Sequence, residues 1–217
     1  MNAELATALS DAPLALLASG LAWHLWSRRA GHPVARPMAA FLAATGIAAA
    51  LGGTWHAARE LVSPEVSDAW WSATIVTLGL ADVALLIAAT TPLSTGPRGF
   101  FRSFAWAKFA ALIGFSFRGS SFLPAALDQG VTLAAVLGLA AWDRRTQRGL
   151  RFAPTVASAV TALLAGVCQV GRLDLTPVLN HNVLYHLLAL VALAGFWRSA
   201  SASRSGTAGV REKMTGT

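Results

Sequence analysis

The sequence predicts an all-α integral membrane protein, a bundle of seven transmembrane helices. Three observations carry that expectation. Charged residues make up only 12% of the 217-residue chain and hydrophobic ones 55%, whereas a soluble domain is about one quarter charged. Apolar runs of spanning length recur from one end of the chain to the other. The arginines behind the net charge of +7 form no basic face; they fall in short loops between the apolar runs, which is a topology signal and not a nucleic-acid surface. A single cysteine, Cys168, excludes a disulfide framework or a cysteine metal cluster.

The first span is read over Leu5–Trp26. Its start carries Glu4 and Asp11 and no basic stretch, so it reads as a span and not as a cleaved leader. Pro37–His56 and Ala69–Thr91 follow as the second and third. The fourth, Ser103–Phe117, is short and interrupted by Lys108. Ser121–Trp142 and Ala153–Val170 are the fifth and sixth. The seventh, Val178–Trp197, is preceded by "LTPVLN", where Thr176 can cap and Pro177 takes the first helical position. Residues 1–198 thus form one transmembrane domain, and 199–217 read as a small, polar, disordered cytoplasmic tail. No internal repeat is visible.

Arg28, Arg29, Arg36, Arg98, Arg102, Arg144, Arg145, Arg148, Arg151 and Arg198 follow the odd-numbered spans, whereas the alternate loops hold Arg59, Arg118 and Arg172 among acids. The positive-inside rule then places the N-terminus outside and the C-terminus in the cytoplasm, in the inner (cytoplasmic) membrane. Of the five histidines, His56, His181 and His186 fall near the outer ends of the second and seventh spans. His24 and His32 lie toward the inner face and need no functional reading. From the Pro177 start, His181 would sit about 6 Å and His186 about 14 Å below the helix beginning. Their five-residue spacing separates them by about 140° around an ideal helix, so sharing one ion requires an irregular first turn or a later start capped by Asn182.

Asp82 and Lys108 fall at matching depths and are expected to pair, because an isolated intramembrane charge is costly. Asp128 lies near the depth of His186 and is expected to accept its ring N–H. Asp68 opens the third span at the level of His56. The tryptophans Trp55, Trp70, Trp71 and Trp197 and Tyr185 read as interfacial rings.

On "GGTWHAARELVSPEVSDAWW" and "HNVLYH", the chain resembles the alkaline ceramidase and adiponectin receptor superfamily of seven-helix membrane hydrolases. It is also similar to a group of bacterial membrane proteins carrying an HNxxYH motif. The superfamily resemblance implies a zinc held by His56, His181 and His186, with Asp68 as the catalytic acid–base group, and hydrolysis of a lipid amide or ester at the outer membrane face. Two departures stand out: the position of the superfamily's serine falls on Gly52, with Thr54 nearby on another face, and its four-residue histidine spacing is five here. Three imidazoles and a water would make an open tetrahedral zinc site. The metal would lower the pKa of that water to about 7 while Asp68 orients it or takes its proton. Membrane lipids would be the partners.

Two other classes fit the same residues. A haem or quinone protein would use His56 and a seventh-span histidine, and visible absorption separates haem from hydrolase. A sensor, transporter or assembly factor would use its histidines structurally. A retinal protein is disfavoured, since the seventh span has no lysine.

Overall fold

The computed structural model describes residues 3–28, 32–116, 121–144 and 149–202. Over these the chain forms α1 (Ala3–Arg28), α2 (Ala35–Ala58), α3 (Pro64–Ala89), α4 (Thr95–Ser116), α5 (Leu123–Asp143), α6 (Phe152–Val170) and α7 (His181–Ser201), with no strand among the described residues. All but α4 are long and apolar enough to cross a membrane. The chain is a multi-pass membrane protein. α4 is 22 residues long, but Arg98, Arg102 and Lys108 keep it more polar than the others.

Local sequence explains the helix starts. Ser63 caps α3 by accepting from the Val66 amide, and Pro64 takes the first position, where a missing N–H costs nothing. Asn180 caps α7, its side-chain oxygen accepting from the Asn182 and Val183 amides at 3.0 Å each. This corrects the expected start at Pro177. Thr176 Oγ1 instead accepts from the Leu179 amide within the preceding loop. Two amides satisfied by one asparagine outweigh the single bond that Thr176 could offer further upstream. α6 closes through Arg172, whose φ of 49° is left-handed, so that the Leu173 amide reaches the Cys168 carbonyl.

The helices close into a ring. α1 packs on α2, α2 on α3, α3 on α5, α5 on α6, α6 on α7 and α7 back on α1, while α4 lies against α3 and α5. Small residues permit this, because lipid gives helices no hydrophobic reason to associate and close packing must hold them. A Cβ on Gly53 would meet the Asp11 Cβ at 2.7 Å, so α1 and α2 approach as closely as glycine allows. The tightest apolar packing, with Leu25, Met38, Leu42, Leu86, Val136 and Phe196 buried, lies where α1, α3, α5 and α7 finish. This is the arginine-rich end. Leu16, Trp23, Ile47, Trp142, Leu164 and Val191 are exposed around the bundle, as lipid-facing side chains are.

α7 continues through residues 199–201, beyond the expected domain limit at 198. The rest of the expected tail, from 203 on, lies outside the described residues.

Candidate functional site

At the other end, where α2 and α6 finish and α3 and α7 begin, the ring is not filled. A cavity of about 100 Å³ extends inward from this end, lined by α1, α2, α3, α4, α5, α6 and α7. Its wall nearer this end carries Asp11, His56, Trp71, Gln169, Asn182, Tyr185 and His186, and its deeper wall the Asp82 and Asp128 that adjoin Lys108.

The nearer wall is built around His186, which is buried at 8% exposure. Its Nδ1 meets Ser10 Oγ at 2.7 Å and its Nε2 meets Asp11 Oδ1 at 3.2 Å. Both partners come from α1, which the α1–α7 contact brings alongside. The order serine–histidine–aspartate is that of a nucleophilic triad. Ser10, however, lies outside the cavity lining, and it sits inside a helix whose amides are committed to backbone bonds, leaving no oxyanion hole. The trio holds the imidazole in place. Asp128, the partner expected for His186, is engaged elsewhere.

His56 reaches the same cavity from α2. Its Nδ1 meets Glu4 Oε2 at 2.8 Å, and Glu4 Oε1 accepts from Arg59 at 2.8 Å, so one acid of α1 ties both residues. His181 does not line the cavity: its backbone N–H and its Nδ1 both meet Asp174 Oδ1 at 2.7 Å in the α6–α7 loop. Hydrogen bonds from the His181 side chain and amide hold the Asp174 carboxyl below the usual carboxylate range. Asp68 is exposed on α3 and does not line the cavity.

The structure therefore brings together His56 and His186 but neither His181 nor Asp68. The later start of α7 is the physical reason for His181. As the first helical residue it lies at the rim, within reach of the loop acid. Among the described residues no three His, Cys, Asp or Glu side chains are arranged to hold a metal ion. The residues as placed do not fit a three-histidine zinc site.

In the deeper wall, Lys108 Nζ pairs with Asp128 Oδ2 at 2.6 Å, both side chains nearly buried. The expected Asp82–Lys108 pair is thus corrected to Asp128–Lys108. α5 presents its acid directly to α4, and Asp82, 5% exposed, joins as a neighbour of both. His24 Nδ1 accepts from the Trp197 indole N–H at 3.2 Å.

The residues that sequence reasoning missed are Asp11, Gln169 and Trp71. Asp11 carried a signal, since an ionisable group among apolar residues of a span marks a functional site by default.

A protein-family model matches residues 6–205 and is described as a family of unknown function, DUF6962. The chain belongs to that family. No curated protein and no solved structure matches it. The matched residues span nearly the whole bundle and include those that line the cavity. Membership assigns no activity.

Proposed function

We propose that this membrane protein binds a small polar ligand in the cavity, as a sensor or transporter does, and that the cavity opens to the outside. One observation carries the reading. Asp11 Oδ2, Gln169 Oε1 and Trp71 Nε1 are all buried without a hydrogen-bond partner, and all three residues line the same cavity. Buried polar groups are nearly always paired, because leaving one unmade costs about 1–3 kcal/mol. Three on one cavity wall point to a guest that completes them. The outward direction follows from the arginines at the opposite end.

The test is a titration of the purified full chain in lipid nanodiscs against a library of small polar compounds, read by tryptophan fluorescence. A saturable change that Trp71→Phe removes supports the reading. If no compound produces one, the cavity is a packing defect and the reading fails.

A second reading, zinc-dependent hydrolysis of a lipid amide or ester, is favoured by His56 and His186 facing one cavity beside an acid. It requires a reduced ligand set. Metal analysis of chelator-free protein decides it. Stoichiometric zinc that is lost in His56→Ala and His186→Ala, but kept in His181→Ala, would establish a two-histidine site. Absence of zinc would remove the hydrolase.

A further inference from the structure

Asp11 is 4% exposed, and only one of its oxygens is engaged. His186 Nε2 meets Oδ1, while Ser10, whose hydroxyl donates to the Thr7 carbonyl, holds the other ring nitrogen; Oδ2 is left without a partner on a residue that lines the cavity. Gln169 supplies a second open acceptor. Its Nε2 already donates to Asn182 Oδ1 at 2.6 Å, so Oε1 is the free atom. Two open acceptors call for a guest with more than one donor. A hydroxyl carries one, whereas an ammonium carries up to three.

The acids agree in part: Asp82 and Asp128 also line the cavity but are grouped with Lys108, which leaves Asp11 as the acid set apart from that pair. Trp71, Phe122 and Tyr185 contribute aromatic wall, and ring faces attract ammonium ions, more so away from water. A bare metal cation fits less well, since no three ligating groups converge among the described residues. The remaining open atom, Trp71 Nε1, is a donor and needs an acceptor on the guest. Size sets the last limit. A cavity of about 150 Å³ takes a benzene molecule, so one of about 100 Å³ takes a guest of only a few heavy atoms.

We infer that the cavity binds an ammonium group carried on a short chain with an oxygen acceptor, with Asp11 as its counter-ion, Gln169 Oε1 as second acceptor and the Trp71 indole N–H on the oxygen. This rests on the reading that the cavity is a ligand site, and it narrows the ligand to a chemical class. The same chemistry is found in a free amino alcohol and in the ethanolamine head group of a phospholipid entering between helices.

The experiment uses the full chain in nanodiscs of phosphatidylglycerol, which has no amine, and measures equilibrium binding of labelled ethanolamine. Ethylene glycol, of similar size but uncharged, is the competitor. The expected result is saturable ethanolamine binding, at least about tenfold tighter than glycol, and weakened at least about tenfold by Asp11→Asn, as for loss of a charge-assisted hydrogen bond. A parallel arm adds phosphatidylethanolamine to the disc. Loss of labelled binding there identifies the lipid head group as the source, and unchanged binding identifies the free amine; either supports the class. Gly52→Ala is the second variant. Its Cβ would sit at ordinary contact distance, 3.7 Å from Thr74 and 3.8 Å from Asp11 Oδ1, so the fold survives while space beside the carboxylate is lost. It should weaken ethanolamine binding several-fold even if Asp11→Asn fails to fold. Equal binding of ethanolamine and glycol, or ethanolamine binding indifferent to both variants, overturns the ammonium assignment and leaves the ligand cavity standing. Binding of neither overturns both.

Discussion

The two ends of the bundle use polar residues in opposite ways. At the arginine-rich end, the Arg98 guanidinium donates to the Thr91 and Leu93 carbonyls. Asp143 accepts from the Gly149 amide at 2.7 Å. The Thr155 and Ser199 hydroxyls meet at 2.7 Å, and Ser199 donates onward to the Arg151 carbonyl. The cavity there is about 10 Å³. His32 Nε2, Arg98 Nε and Ser201 Oγ are unpaired there, but none of these residues lines a cavity. At the His56 end, three of the unpaired atoms belong to residues that line a cavity of about 100 Å³. Polar residues that close on the chain's own backbone hold helices together. Those that face space are set for something that is not part of the chain.

The Lys108–Asp128 pair divides these two regimes, and breaking it should have the largest effect. Lys108→Met leaves Asp128 and Asp82 together in a low-dielectric interior, and unfolding in detergent should show a loss of about 3–5 kcal/mol. Lys108→Met with Asp128→Asn should recover most of it. Recovery by Asp82→Asn and not by Asp128→Asn would restore the pairing that matched depths suggest, and would make the deep wall part of the ligand site.

Close approach at the His56 end gives the next effect. Gly53→Ala places a Cβ 2.7 Å from the Asp11 Cβ and 3.4 Å from the Ala8 carbonyl, so α1 must shift. A loss of about 2–3 kcal/mol is expected in the same assay, in line with overpacking elsewhere. Gly52→Ala should cost little by comparison. Similar losses for both would mean that the space beside Asp11 is already filled.

A third pair of substitutions compares the ends directly. Ser199→Ala removes a satisfied bridge and should lower stability by about 1 kcal/mol. Asp11→Asn keeps the shape and the oxygen that meets His186 and removes a half-satisfied buried acid, so in the absence of ligand its melting temperature should equal or exceed that of the wild type. If Asp11→Asn is the more damaging, Asp11 is structural and the contrast between the ends disappears.

The fold was legible because membrane helices are written in composition: long apolar runs and arginine loops survive without any knowledge of packing. α4 was the hard case for the same reason, since Lys108 is tolerable only through Asp128, a partner on another helix. The candidate site was half legible. His56 and His186 could be brought to one end by counting residues. Asp11 could be noticed but not placed, because its partner lies 175 positions away on α7. The start of α7 was misplaced by a choice between two plausible caps, and that shift of one turn decided the fate of His181.

The smallest effect concerns that residue. Asp174 lies at the cavity end but outside the cavity, exposed and paired to the first residue of α7. Its carboxyl is held below the ordinary range by His181. A depressed folded-state pKa means that the contact's contribution is present above the unfolded value and is lost as pH falls through the folded one. Hydrogen exchange at the Leu184 amide, in the first turn of α7, reports it. After correction for intrinsic rates, protection in the wild type should fall as pH is lowered past the usual carboxylate range. In Asp174→Asn it should already be lower at neutral pH and should change little over that interval. Ligand binding in the cavity should be the same in both proteins, because Asp174 orders a helix start and does not line the wall. A matching loss of binding in Asp174→Asn would extend the site to the α6–α7 loop, and polar pairing at this end would no longer separate tethers from binding groups.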